Sequence, residues 1–345
     1  MEPRPVPERN NPKPDFHFAL AGGSLNPTQG AIRTKEAAAR KAESLSLPVR
    51  NDHHEHTIVA PAIIAGVGVH TGRRVRLAVR PAPAGSGIVF VRTDVTDRDN
   101  RIPVSGEAVV DARLNTMIAN AADVRLSTIE HLMSAFAALG VSNAVVEVDG
   151  PELPILDGSA RDFVKLLDRA GFRPQSTPQR YIEILEPVHV VEGDKHAALM
   201  PCDRYEMRME IDFPSAAIGN QVIDFTVDEA TFRTDLMAAR TFGFAHEVEA
   251  LRQAGLARGG SLENAVVIDG DDILNPGGLR MEREFVRHKA LDAIGDLYVL
   301  GAPLLGRYEG YKAGHALNNK LVRQLLATPN AWREVTRVPE LAQAG

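Results

Sequence analysis

The sequence predicts an α+β protein of two similar domains, each a mostly antiparallel sheet with helices packed on one face. Three observations point there. The 345 residues are about 2.3 times a typical domain of ~150, enough for two cores. Each half opens with short strand-like runs and continues with helix, strand and helix. No similarity recurs at a fixed short period, which sets aside solenoids and propellers.

Residues 1–56 are rich in Pro, Asn, Lys and Glu, and their one periodic piece, 34–47, is Ala-rich and highly charged. Such a segment buries too little apolar surface to join a core, so it reads as a disordered N-terminal extension with one marginal helix. From Thr57 the runs TIVAPAII, RRVRLAVRPA and GIVFVRTDV, punctuated by Gly and Pro, read as strands. A helix over 128–139 stops at Gly140, a strand follows over 143–148, and a second helix over 160–170 completes a first domain at 57–175. GFRPQSTPQR, 171–180, has two prolines and little apolar material and reads as a linker. The second domain, 180–335, shows strands over 180–184, 189–191, 197–200, 206–212 and 265–268. Its helices fall over 228–238, 245–253, 282–300 and 317–327, and 336–345 remain as a tail.

Composition removes several function classes. The net charge of −6 provides no global positive field, so nucleic acid is not expected as a partner. The single cysteine, Cys202, excludes a disulfide framework and a Cys-rich zinc knuckle, so any metal site must use histidine and carboxylate. The N-terminus lacks the apolar run of a signal peptide and no stretch approaches 18 apolar residues. The expectation is a soluble cytoplasmic protein without stable membrane insertion.

Three constellations carry chemistry-bearing residues. In EREFVRHKALDAIGDL, Glu284, His288, Asp292 and Asp296 recur at spacing four, one row along a helical face. Donors one turn apart sit about 6 Å from each other along the axis, close enough to chelate one ion, and His288 with Asp292 is such a pair. That pattern alone is more commonly a solvated polar face. In STIEHL, Ser127 and Glu130 have capping-box spacing, which by itself indicates only a well-capped helix. Glu130 also adjoins His131, so an ion held by the histidine would bring a water within its reach. Taken together, His131, His288 and Asp292 would make a three-ligand set with an open fourth position, as in catalytic rather than structural zinc sites. In YKAGHALNNK, His315 enters a helix; the helix N-terminus would lower its pKa and a carboxylate such as Asp296 would raise it, while a surface-loop histidine is an equal reading of these residues alone. RTFGF adds Thr241 as a hydroxyl donor, and Phe242 and Phe244, aromatics that in most chains belong to the core.

Some lookalikes fall away. His53, His54 and His56 lie at the junction with the extension and suit adventitious metal binding. GVGVHTG has Thr71 where a dinucleotide fingerprint needs its third glycine, and reads as a hairpin at His70, Thr71 and Gly72. His17, His189, His196 and His246 have no convergent partners in the sequence.

The motifs GVGVHTG, RPAPAGSGIVFVRTD, STIEHLMSAFAALGVSNAVVEVDGPELPILDGSA, RTFGF, FVRHKALDAIGDL and GHALNNK together resemble the UDP-3-O-acyl-N-acetylglucosamine deacetylase family, zinc amidases of lipid A biosynthesis in Gram-negative bacteria. The likeness runs from about residue 57 to 332, leaving the extension outside it. The resemblance implies two α+β domains whose sheets sandwich the helices, with the active site at their junction. It implies one catalytic Zn2+ on His131, His288 and Asp292, a position that Fe2+ also suits because imidazole and carboxylate accept both. It assigns Glu130 as general base, His315 as general acid and oxyanion stabiliser, Thr241 as oxyanion donor and Asp296 as the group orienting His315. Lys289 would contact the substrate phosphate, and about 251–281 would form an acyl passage with Phe242 and Phe244 near its mouth. The substrate implied is UDP-3-O-acyl-N-acetylglucosamine, hydrolysed by water to acetate and the free amine. A non-catalytic module for a sugar nucleotide or acyl chain, and an amidase for another acyl-amino sugar, are the competing readings.

Overall fold

The computed structural model describes residues 53–336. Residues 1–52, including the helix expected at 34–47, and 337–345 lie outside them. The first strand, β1 (His54–Ile58), starts ahead of the expected Thr57. After it come β2 (Ala62–Val67), β3 (Arg74–Pro81), β4 (Ile88–Arg92), β5 (Arg101–Pro103), β6 (Val109–Asp111), β7 (Met117–Ala119) and β8 (Arg125–Leu126). Helix α1 (Glu130–Ala138), β9 (Ala144–Val148) and α2 (Arg161–Ala170) complete this half. Its main sheet runs β2-β3-β9-β4-β5, antiparallel except for β4 against β9, and β6-β7-β8 form a small meander beside it.

The segment expected as a linker is instead a strand, β10 (Phe172–Pro178), antiparallel to β1. Pro174 and Pro178 stand opposite His56 and His54 there. A two-stranded ribbon has an unpaired side, so residues without an N–H donor are tolerated where a central strand would reject them.

The second half contains β11 (Arg180–Ile184), β12 (Val188–Glu192), β13 (Lys195–Met200), β14 (Tyr205–Asp212) and β15 (Asn220–Thr226). It continues with β16 (Phe242–Phe244), α3 (Ala245–Gln253), β17 (Val266–Asp269), β18 (Asp272–Ile273), α4 (Glu284–Leu297), β19 (Leu304–Tyr311), α5 (His315–Leu326) and β20 (Trp332–Thr336). β19 is the central strand of a seven-stranded sheet, with β13 on one side and β14 and β11 on the other. Sequence patterning does not reveal it, because LLGRYEGY interleaves two glycines and two charges among its apolar residues. Burial shows the reason: Leu304, Leu305, Gly306, Tyr308 and Gly310 are all buried. The helix expected over 228–238 breaks into a turn, Glu229–Thr231, and a π-type turn, Phe232–Leu236, in which Met237 N donates to Phe232 O. Among the described residues no helix is long and apolar enough to cross a membrane.

The helices form the layer between the sheets. α2 packs on β2 and on α1, α1 packs on α4, α4 packs on β14 and β15, and α5 packs on β12 and β13. α4 is therefore buried almost all round, as expected of a helix covered on every side. At the α1–α4 crossing a Cβ on Gly295 would lie 2.0 Å from the Glu130 carbonyl oxygen, so the two backbones touch there. Gly295→Ala should therefore force the helices apart, costing about 1–3 kcal/mol as overpacking does. A thermal melt, compared with that of Ala293→Gly on the same helix, checks whether the loss is steric rather than a matter of helix propensity.

Candidate active site

The site begins where α1 does. Thr128 adopts φ +61, a left-handed conformation unusual for a β-branched residue. Its Oγ1 donates to Glu152, and the flanking Ser127 and Leu153 exchange backbone bonds with this strip. The expected capping box does not form: Ile129 is the N-cap, no side chain caps α1, and Ser127 Oγ donates to Pro151 O. The Glu130 carboxylate is turned away from its own helix end and accepts Thr116 N at 3.1 Å. Burial pushes the Glu130 carboxyl above its ordinary range, against the pull of His315 and His131.

Beside it, His131, His288 and Asp292 bring one ligand atom each to within 4.8 Å of the others, all three residues buried. His131 sits on α1 and the other two one turn apart on α4, so the α1–α4 contact assembles the set. Asp292 Oδ1 lies 3.4 Å from His131 Nε2 and 3.3 Å from His288 Nε2, yet makes no hydrogen bond of normal geometry. A buried carboxylate oxygen without a partner is costly unless a cation takes that place. His288 Nδ1 is engaged by the Ala239 carbonyl at 3.0 Å, which leaves Nε2 with its lone pair toward Asp292. Burial holds this imidazole down to about 3, so it is neutral, the form that ligates. The residues fit a divalent ion with nitrogen and oxygen ligands.

His315, the first residue of α5, faces the same space. Its Nδ1 donates to Asp296 at 2.9 Å, and its Nε2 lies 4.0 Å from Glu130 Oε1 and 3.8 Å from Asp292 Oδ2. Burial lowers its pKa, but Asp296 and Asp292 outweigh burial and raise it to about 9. Asp296 in turn accepts Asn318 Nδ2 at 2.8 Å and Thr116 Oγ1 at 2.6 Å, and Asn318 accepts the Tyr308 hydroxyl. Asn318, Tyr308 and Thr116 escape sequence reading because each is one ordinary polar residue in a helix, a strand or a turn.

The remaining expected residues divide. Lys289 Nζ lies 2.8 Å from Asp292 Oδ2 and 5.7 Å over the Phe242 ring. Burial opposes its charge, and Asp292 outweighs that and raises its pKa. Phe242 also packs 6.4 Å from the His288 ring, with Phe285 and Phe213 beyond. Phe244 stands one step farther out, against Phe213 and His246. Thr241 is held by its backbone alone, to Gly158 O and Val266 N. Glu284, in the same α4 row, is not a ligand: fully buried, it binds Arg240 through both oxygens and accepts Arg280 N. That pair anchors the segment that carries Ala239 and Thr241 and leads into β16. The segment expected to line an acyl passage, 251–281, takes in the end of α3, β17 and β18, with β17 parallel to β16, and its Arg258 and Gly259 amides bind His70 O and Val69 O of the β2–β3 hairpin. The GVGVHTG reading as a hairpin is thus realised.

Residues 55–327 match the family of UDP-3-O-acyl N-acetylglycosamine deacetylases. The chain belongs to that family. It is 66% identical over 290 residues to the UDP-3-O-acyl-N-acetylglucosamine deacetylase of Phenylobacterium zucineum (strain HLK1), covering 84% of this chain and 99% of the relative. It is 48% identical over 285 residues to the enzyme of that name from Myxococcus xanthus (strain DK1622), 83% of this chain and 90% of the relative. The Shewanella baltica (strain OS155) enzyme of that name is 48% identical over 284 residues, 82% and 92% respectively. Membership makes the chain a deacetylase, so the buried trio and the Glu130–His315 pair belong to a hydrolase.

With three convergent donor side chains, the protein should hold about one divalent ion per chain, and His288→Ala and Asp292→Ala should each empty the site. Elemental analysis of purified protein checks this without any activity measurement; full retention in both variants would refute the assignment.

Proposed function

We propose that the protein hydrolyses the N-acetyl group of UDP-3-O-acyl-N-acetylglucosamine, releasing acetate and the 2-amino sugar nucleotide, in the cytoplasmic stage of lipid A synthesis. The observation that carries the mechanism is the 4.0 Å gap between Glu130 Oε1 and His315 Nε2, beside the three converging side chains His131, His288 and Asp292. Zinc is the ion proposed for those ligands; when bound, a divalent cation of this kind acidifies a water and polarises a carbonyl.

The residues of the chain do the proton work. Glu130, whose proton affinity is raised by burial, takes the proton of the attacking water as its oxygen adds to the acetamide carbon. His315, charged up to about pH 9, faces the oxygen on which negative charge grows and gives its proton to the amine as the C–N bond breaks. Thr241, next after the anchored Arg240, is the proposed second donor to that oxygen. Lys289 is proposed to bind a substrate phosphate, and Phe242 and Phe244 to start an apolar wall for the acyl chain, continued by 251–281, where Leu262 and Leu274 are exposed.

Glu130→Gln should keep the fold and the metal and lose about 10²- to 10⁴-fold in turnover, the usual worth of a general base. Steady-state assays on metal-matched protein decide it, and unchanged turnover would remove Glu130 from the chemistry. The rate should also rise and then fall with pH. Protonation of Glu130 at low pH removes the base, and loss of the His315 proton above about 9 removes the acid. Removing the negative charge of Asp296 destabilises the imidazolium, so in Asp296→Asn the alkaline limb of kcat/KM should move to lower pH; a limb that does not move would show that another group sets it.

A further inference from the structure

Thr116 lies in the turn between β6 and β7, one residue ahead of β7, and is buried at 3% exposure. Its backbone N–H donates to Glu130 Oε2 at 3.1 Å, while its hydroxyl donates to Asp296 Oδ1 at 2.6 Å. Its carbonyl accepts Ile129 N, at the strained entrance to α1. One residue therefore touches the carboxylate proposed as base and the carboxylate that orients the proposed acid, and no other described residue is hydrogen-bonded to both.

We propose that Thr116 is a positioning residue that sets the Glu130–His315 geometry by holding Asp296 through its hydroxyl and Glu130 through its amide. The inference rests on the proposed roles of those two groups. Asp296 must present an oxygen to His315 Nδ1 so that Nε2 aims at Glu130. Asn318 constrains Oδ2 from the α5 side, and Thr116 constrains Oδ1 from the opposite half of the chain. With either support missing the carboxylate can rotate and carry the imidazole with it, and displacement of about 1 Å at a reacting group costs on the order of 10² in rate. A threonine is suited to this: its stiff β-branched side chain presents one hydroxyl in few rotamers.

The side chain and the amide can be separated experimentally. Thr116→Val keeps the shape and the amide contact to Glu130 but removes the hydroxyl; Thr116→Ser keeps both contacts. With metal content matched, Thr116→Val should lower kcat by about 10- to 100-fold with KM changed less than about 3-fold, and Thr116→Ser should stay within about 3-fold of the parent in both. In an Asp296→Asn background the same Val substitution should cost less than about 2-fold, because its route of action is already broken. Thr116→Ala repeats the comparison if the valine variant melts early. Unchanged kcat in Thr116→Val, equal loss in Thr116→Ser, or full additivity with Asp296→Asn would each overturn the proposal. Glu130→Gln and His315→Ala run alongside: if these retain activity, the assigned roles fail and the proposal with them, whereas if they lose it and Thr116→Val does not, Thr116 alone is wrong.

Discussion

The backbone contact between Gly295 of α4 and the Glu130 carbonyl of α1 is the constraint on which the site depends. Two helices that touch without intervening side chains place whatever they carry at the crossing within a few ångströms. Here that is Glu130 and His131 on one helix and His288, Asp292 and Asp296 on the other. Any side chain at 295 would widen the crossing, and the His131, His288 and Asp292 cluster, which spans both helices, would open with it.

Burying that many ionisable groups together is unfavourable unless each is given a partner. The structure does this in a graded way. Asp296 is fully engaged, by His315, Asn318 and Thr116. His288 is fixed on one ring nitrogen by the Ala239 carbonyl and turns the other toward Asp292. Asp292 has one oxygen bound to Lys289 and one with no hydrogen-bond partner. The incompletely satisfied atoms converge on one point, and the fully satisfied ones surround it. The same burial separates the proton affinities: it raises Glu130 and lowers His288, while the carboxylates near His315 raise that imidazole. A carboxyl of raised proton affinity, a neutral imidazole at His288 and a charged one at His315 thus coexist within one layer.

Support comes from both halves of the chain. The strained Thr128 and the Glu152 carboxylate fix the entry to α1, and the buried Arg240–Glu284 pair ties the segment bearing Ala239 and Thr241 to the start of α4. Glu284 shares a helical row with His288 and Asp292 but differs in its partner: a guanidinium engages both its oxygens.

By itself the sequence determined the features that local period and spacing encode. Strands 180–184 and 206–212, helix 245–253 and the α4 row were legible because apolar alternation and the one-turn spacing of His288 and Asp292 are properties of neighbouring residues. The order of strands and helices, and with it the α+β class, comes from the same signals. Tertiary structure decided the rest. Central strand β19 is hidden by Gly306 and Gly310, which are there because Ile184 and Tyr308 occupy the space a Cβ would need. Prolines that suggested a linker sit in β10, tolerated because that ribbon has an unpaired side. Ser127 and Glu130, spaced as a cap, are diverted to Pro151 and Thr116, since partners more than ten residues away compete with those three residues away. Thr116 itself, 14 residues from Glu130 and 180 from Asp296, carries no local pattern, because its role exists only where two distant segments meet.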